Sequence, residues 1–108
     1  MHDILIRGGI LHDGAGNPGV AGDLAITDGR IAAIEPGIAD GARKIIDAAG
    51  LAVAPGFIDI KTHSDFTLPI NQKAESKVRQ GVTTEIIGHC GFSVAPALPG
   101  KVSCSRII

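Results

Sequence analysis

Short apolar stretches of strand length, punctuated by glycine, fill the first fifty residues, and the pattern changes after Pro55. Ile4-Leu-Ile-Arg-Gly-Gly-Ile-Leu-His12 predicts two strands broken by a bend at Gly8-Gly9. The plainest hairpin signal lies in Asp23-Leu-Ala-Ile-Thr-Asp-Gly-Arg-Ile-Ala-Ala-Ile34. There Asp28-Gly29 separates two alternating arms, as a type I′ turn with two positive φ angles requires. Residues 14–22, with Pro18, and 36–41 predict loops. Residues 44–47 and 51–53 predict two further short strands around an Ala49-Gly50 turn. The expectation is an antiparallel β unit without a helix, in which His12, Asp13 and Asp23 are turn or surface residues.

Beyond Pro55, residues 57–60 predict a strand and 64–70 a loop containing Pro69. Asn71 is placed to cap a helix over about residues 72–80, with Gly81 as its stop. Ala74 and Val78 share one face of that helix, and Glu75 precedes Arg79 in the favourable order for an ion pair. Residues 82–87 predict the next strand, ending at Gly88-His-Cys-Gly91. Strand, helix, strand at this spacing is a βαβ unit with parallel strands. One such unit cannot close a (β/α)8 barrel, which takes roughly 250 residues. Lys101-Val-Ser-Cys-Ser-Arg-Ile-Ile108 has no helix period, cap or turn logic, so a truncation or a change of reading frame near residue 99 is expected.

Composition narrows the function classes. The chain of 108 residues is 44% apolar and 19% charged with 15 glycines, which argues for a folded chain rich in turns and against disorder. A net charge of −1 leaves no electrostatic footprint for nucleic acid or an anionic membrane. The apolar runs are too short to span a bilayer, and the N-terminus lacks the basic start and long apolar region of a signal peptide. Two cysteines, Cys90 and Cys104, make no disulfide framework, so a reducing cytoplasm is expected. With three aromatic residues in all, there is no stacking platform for bases or sugars.

The stretch Ala54-Pro-Gly-Phe-Ile-Asp-Ile-Lys-Thr-His-Ser-Asp65 concentrates the candidate chemistry. Strand alternation places Lys61 and His63 on one side with Asp59, and Thr62 and Ser64 on the other. His63 is a candidate metal ligand, since neutral imidazole suits zinc; the bland alternative is a hydrogen-bonded loop histidine. Asp65 is placed to support His63 or to contact substrate; the bland alternative is a helix-loop cap or a solvated charge. Cys90, flanked by glycines, is either a thiolate ligand or an inert buried cysteine. His89 falls on the opposite face if its strand continues, and Cys104 has no role. Lys61 has three donors and no lone pair, so it cannot bind a cation while protonated. It suits a substrate carboxylate or stands in for a missing cation's charge; otherwise it reaches out of the strand end into water.

Two blocks carry a family resemblance. Phe57–Asp65 resembles the amidohydrolase signature Pro-Gly-Phe-Ile-Asp-x-His-x-His, with Lys61 at the first histidine position. Gln80-Gly-Val-Thr-Thr and Gly88-His-Cys-Gly-Phe-Ser-Val-Ala-Pro96 resemble the N-acyl-D-amino-acid deacylase (D-aminoacylase) branch of that superfamily. The resemblance covers about residues 3 to 98. It implies a mixed architecture, in which residues 1–54 form half of a β-sandwich and residues 55–98 begin a metal-dependent (β/α)8 TIM barrel. Residues 99–108 form the anomalous tail. It further implies zinc-dependent hydrolysis of the amide of an N-acyl-D-amino acid, a small-molecule substrate, to a carboxylate and the free D-amino acid.

In that branch a cysteine on the second barrel strand ligates zinc, and Cys90 occupies its place, with His63 as a further metal ligand and Lys61 and Asp65 on the substrate side. The catalytic aspartate and further zinc-ligating histidines belong to later strands that this sequence does not include, so the 108 residues alone are expected to be inactive. Lys61 at a histidine position points to one tight zinc ion rather than two. The alternatives are a hydantoinase-like or dihydroorotase-like cyclic amidohydrolase, which uses an intact His-x-His, and a non-catalytic remnant of the fold.

Overall fold

The computed structural model describes residues 1–91 and residue 93. Cys104 and the rest of the tail whose pattern suggested a frame change therefore lie outside the described residues. The chain divides into two compact units, Met1–Pro55 and a second that begins at Gly56.

The first unit is a five-stranded sheet made of β1 (His2–Leu11), β2 (Val20–Thr27), β3 (Arg30–Glu35), β4 (Ala42–Asp47) and β5 (Ala52–Val53). Its order is β3-β2-β1-β4, with β5 also on β1. The hairpin between β2 and β3 forms as expected: Asp28 and Gly29 hold φ of 51° and 70°, the left-handed pair that a type I′ turn needs. Two expectations are corrected. Gly8 and Gly9 do not divide two strands; β1 runs through them as one strand, with its pairing to β2 shifted between Ile6 and Gly9. An extra residue bulges out there while the ladder resumes on the far side. The sheet is also mixed rather than antiparallel, because β4 and β5 both return parallel to β1.

Alternation sorts this sheet into two faces. Leu5, Ala25 and Ala33 stand in register across three strands, and Ile38 packs over them as the buried core. Asp23 shares that face. It is buried, not a surface residue, because its two carboxylate oxygens accept the backbone N–H of Gly8 at 2.8 Å and of Ile38 at 3.0 Å. One side chain thereby pins both the bulge and the loop that caps the core. Asp13 is a turn residue as expected, accepting from Ala15 N and Asn17 Nδ2. The opposite face carries Ile6, Leu24, Ile26, Ile31 and Ile34, which line an open apolar groove.

The second unit contains β6 (Phe57–Asp59), α1 (Glu75–Val78) and β7 (Val82–Glu85). β6 and β7 pair in parallel, with Asp59 opposite Glu85. The βαβ order is as expected, but the helix is one turn long instead of spanning residues 72–80. Ala74, directly before it, adopts the left-handed conformation at φ 47° and makes no side-chain cap. Residues 64–73 form successive turns instead, among them Leu68 N to Ser64 O and Ala74 N to Asn71 O. Gly81, at φ 85°, stops the helix as predicted, its N–H bonded to Val78 O. The Glu75–Arg79 pair forms at 3.9 Å on the exposed surface.

Candidate functional site

The C-terminal ends of β6 and β7 are joined by a lysine that the sequence reading left without a role. Lys77 Nζ, from α1, donates to Asp59 Oδ2 at 2.5 Å and to Thr62 Oγ1 at 3.1 Å. Glu85 Oε1 lies 3.4 Å from the same ammonium, an ion pair without hydrogen-bond geometry. Asp59 and Glu85 are register partners on adjacent parallel strands, so two carboxylates share one cation. The hydrogen bond from Lys77 holds the Asp59 carboxyl below its usual range, helped by the Lys61 backbone N–H and nearby His89. The reciprocal bond to Asp59 raises the Lys77 ammonium, against desolvation. The signal for this cluster was a single acidic residue within each of two apolar strands.

Past the strand end, the expected alternation persists over residues 61–64 without strand pairing and breaks at Asp65. Thr62, Ser64 and Asp65 are buried, while Lys61 and His63 are exposed. Thr62 and Ser64 bond hydroxyl to hydroxyl at 2.8 Å. Lys61 donates its backbone N–H to Asp59 Oδ1 at 3.2 Å. Asp59 Oδ2 takes the ammonium of Lys77, which also bonds Thr62, so this oxygen belongs to the inner cluster.

The second loop departs further from strand geometry. Gly88, Cys90 and Gly91 all have positive φ, at 91°, 57° and 75°. The strand does not continue to His89, and face alternation does not decide between His89 and Cys90. Cys90 is an exposed free thiol, not an inert core residue. A left-handed cysteine carries backbone strain of about 1–3 kcal/mol, a feature that clusters at functional sites. His89 is half-buried, and its Nε2 is buried without a hydrogen-bond partner.

Asp65 links the two loops. Only 3% exposed, it accepts the Gly88 N–H on Oδ2 at 3.2 Å. The imidazole and thiol of His63 and Cys90 are donors that zinc takes readily. Among the described residues no group of three or more His, Cys, Asp or Glu gathers to hold a metal ion. By donor chemistry alone the two suit part of a zinc site.

No family model matches the chain. An N-acyl-D-aspartate deacylase of Alcaligenes xylosoxydans xylosoxydans is 47% identical over an alignment covering 87% of this chain and 19% of that protein. The crystal structure of the N-acyl-D-glutamate deacylase of Bordetella bronchiseptica, complexed with zinc and a phosphonate inhibitor, superposes with a TM-score of 0.85 at 46% identity. That match covers 94% of this chain and 22% of the other. A D-aminoacylase structure concerned with a binuclear metal center, its one-metal activation and second-metal attenuation, matches with a TM-score of 0.84 at 42% identity, over 90% of this chain and 20% of the other. The chain thus spans about a fifth of the length of the relatives it matches. In sequence and in backbone alike, it corresponds to the N-terminal portion of the N-acyl-D-amino-acid deacylase branch of the amidohydrolase superfamily.

Proposed function

We propose that the protein carrying this chain hydrolyses the amide C–N bond of N-acyl-D-amino acids, releasing a carboxylate and the D-amino acid. The carrying observation is the pairing of β6 and β7: two adjacent parallel strands whose C-terminal loops present His63 and Cys90, with Asp65 bonded across to Gly88. The relatives' names supply the substrate class.

In this reading His63 and Cys90 hold a zinc ion together with donors from the rest of the protein. Bound zinc supplies Lewis-acid polarisation of an acyl carbonyl and an acidified water. The exposed ammonium of Lys61 attracts the substrate carboxylate and, being unable to ligate, limits the rim to one tight ion. Asp65 acts from beneath the rim. The first unit is half of a β-sandwich, and residues 55–98 begin a (β/α)8 barrel, whose other strands would cover the bare faces of β6 and β7. A free, exposed Cys90 is compatible with a reducing, cytoplasmic setting. Among the described residues, no helix is long and apolar enough to cross a membrane.

The test is an assay of the complete protein against N-acetyl-D-amino acids and their L-enantiomers, with elemental analysis. Release of the D-amino acid, its loss on chelation and about one tight zinc per chain are expected. Two tight zincs would refute the part given to Lys61; absence of hydrolysis by the zinc-loaded protein would refute the activity.

A further inference from the structure

The loop bearing His63 leaves β6 four residues earlier, and the loop bearing Cys90 leaves β7 five residues earlier, as their strands end at Asp59 and Glu85. Neither donor is inside a hydrogen-bonded ladder, so their separation is not set by strand pairing. Something else has to fix it.

The first loop is fastened on both sides of His63. Before it, Thr62 is buried and bonded to Lys77 Nζ at 3.1 Å and to Ser64 Oγ at 2.8 Å. After it comes Asp65, 3% exposed, whose Oδ2 accepts from Gly88 N. Gly88, at φ 91°, is two residues ahead of Cys90. The other oxygen, Oδ1, is buried and has no hydrogen-bond partner. A buried carboxylate kept with one oxygen on a backbone N–H and one unmet is costly. Its placement across two loops gives that cost a use.

We propose that Asp65 is a positioning residue that sets the spacing between His63 and Cys90, through its bond to Gly88 and without touching substrate. This rests on the reading of His63 and Cys90 as zinc donors. The acceptor oxygen matters here more than the charge, because the bond is to a neutral backbone N–H.

Cobalt(II) titrated into the metal-free complete protein is the probe, since the thiolate-to-cobalt charge-transfer band reports the Cys90 bond directly. Asp65→Ala should weaken cobalt binding about 10–100-fold and alter that band, whereas Asp65→Asn, which keeps an acceptor for Gly88, should stay within about threefold of wild type. Asp65→Glu, which keeps the charge but adds a methylene, should also weaken binding and shift the band; it serves if the alanine variant does not fold. A folded Ala or Glu variant with wild-type affinity and spectrum overturns the proposal, as does an Asn variant as weak as Ala. His63→Ala and Cys90→Ala separate the two levels. If both weaken cobalt while the Asp65 series does not, only the positioning role fails; if neither does, the zinc reading fails and takes this inference with it.

Discussion

Lys77 is shared by two carboxylates that β-pairing forces side by side, and its removal has a signed consequence for pH. In the native chain Asp59 is held below its ordinary value, so its contribution to stability is complete above about pH 4 and is lost as pH falls through the lowered value. Lys77 is raised, so its contribution is complete below about pH 10.4 and is lost as pH rises through the raised value. Lys77→Met leaves Asp59 facing Glu85 without the cation between them, which raises the Asp59 carboxyl. Thermal unfolding of the complete protein should then show a variant less stable at neutral pH that recovers relative to wild type on acidification toward about pH 4. A constant offset between the two curves across that range would contradict the clamp. None of this was legible in the sequence beyond the oddity of Asp59 and Glu85 inside apolar runs. A lysine eighteen residues from its partner is found only once the crossover is folded.

Two backbone decisions set the elements. Ala74 at φ 47° interrupts what sequence spacing reads as a nine-residue helix, and glycine tolerates that conformation at no steric cost. Ala74→Gly should therefore stabilise the second unit by about 0.5–1 kcal/mol, measured as a raised Tm, whereas a helix extending through residue 74 would be weakened by the same change. Gly56 lies against Thr83, whose side chain occupies the space a Cβ would take. Gly56→Ala should cost about 1–3 kcal/mol by overpacking at the start of β6, detectable as a lower Tm and faster amide exchange at Phe57 and Ile58. The Asp28-Gly29 hairpin and the Gly81 helix stop were readable because each is a local φ requirement. The single bulged β1 and the parallel return of β4 and β5 were not, since the bulge depends on the pairing of Ile6 with Leu24 and Gly9 with Gly22, and the parallel return on pairs still farther apart, such as His2 with Ala42.

At the scale of the whole molecule, apolar surface outruns the core. Leu5 is the largest fully buried side chain among the described residues, while Ile31 and Ile58 are 61% and 62% exposed. The 108 residues expressed alone should accordingly bind a hydrophobic dye and self-associate. Monodisperse, dye-silent behaviour of the isolated chain in light scattering would show that these faces need no cover.

Amino-acid order by itself determined the type I′ hairpin, the βαβ succession after Pro55 and the placement of Lys61 and His63 on the side opposite Thr62 and Ser64. Those features follow from local backbone preferences and a two-residue period, which act over a few neighbours. Tertiary structure alone decided the mixed sheet, the burial of Asp23, the Lys77 clamp and the Asp65 bridge. Each of these is a polar or pairing contact between distant segments, and its free energy exists only when the folded backbone brings both partners within hydrogen-bond reach.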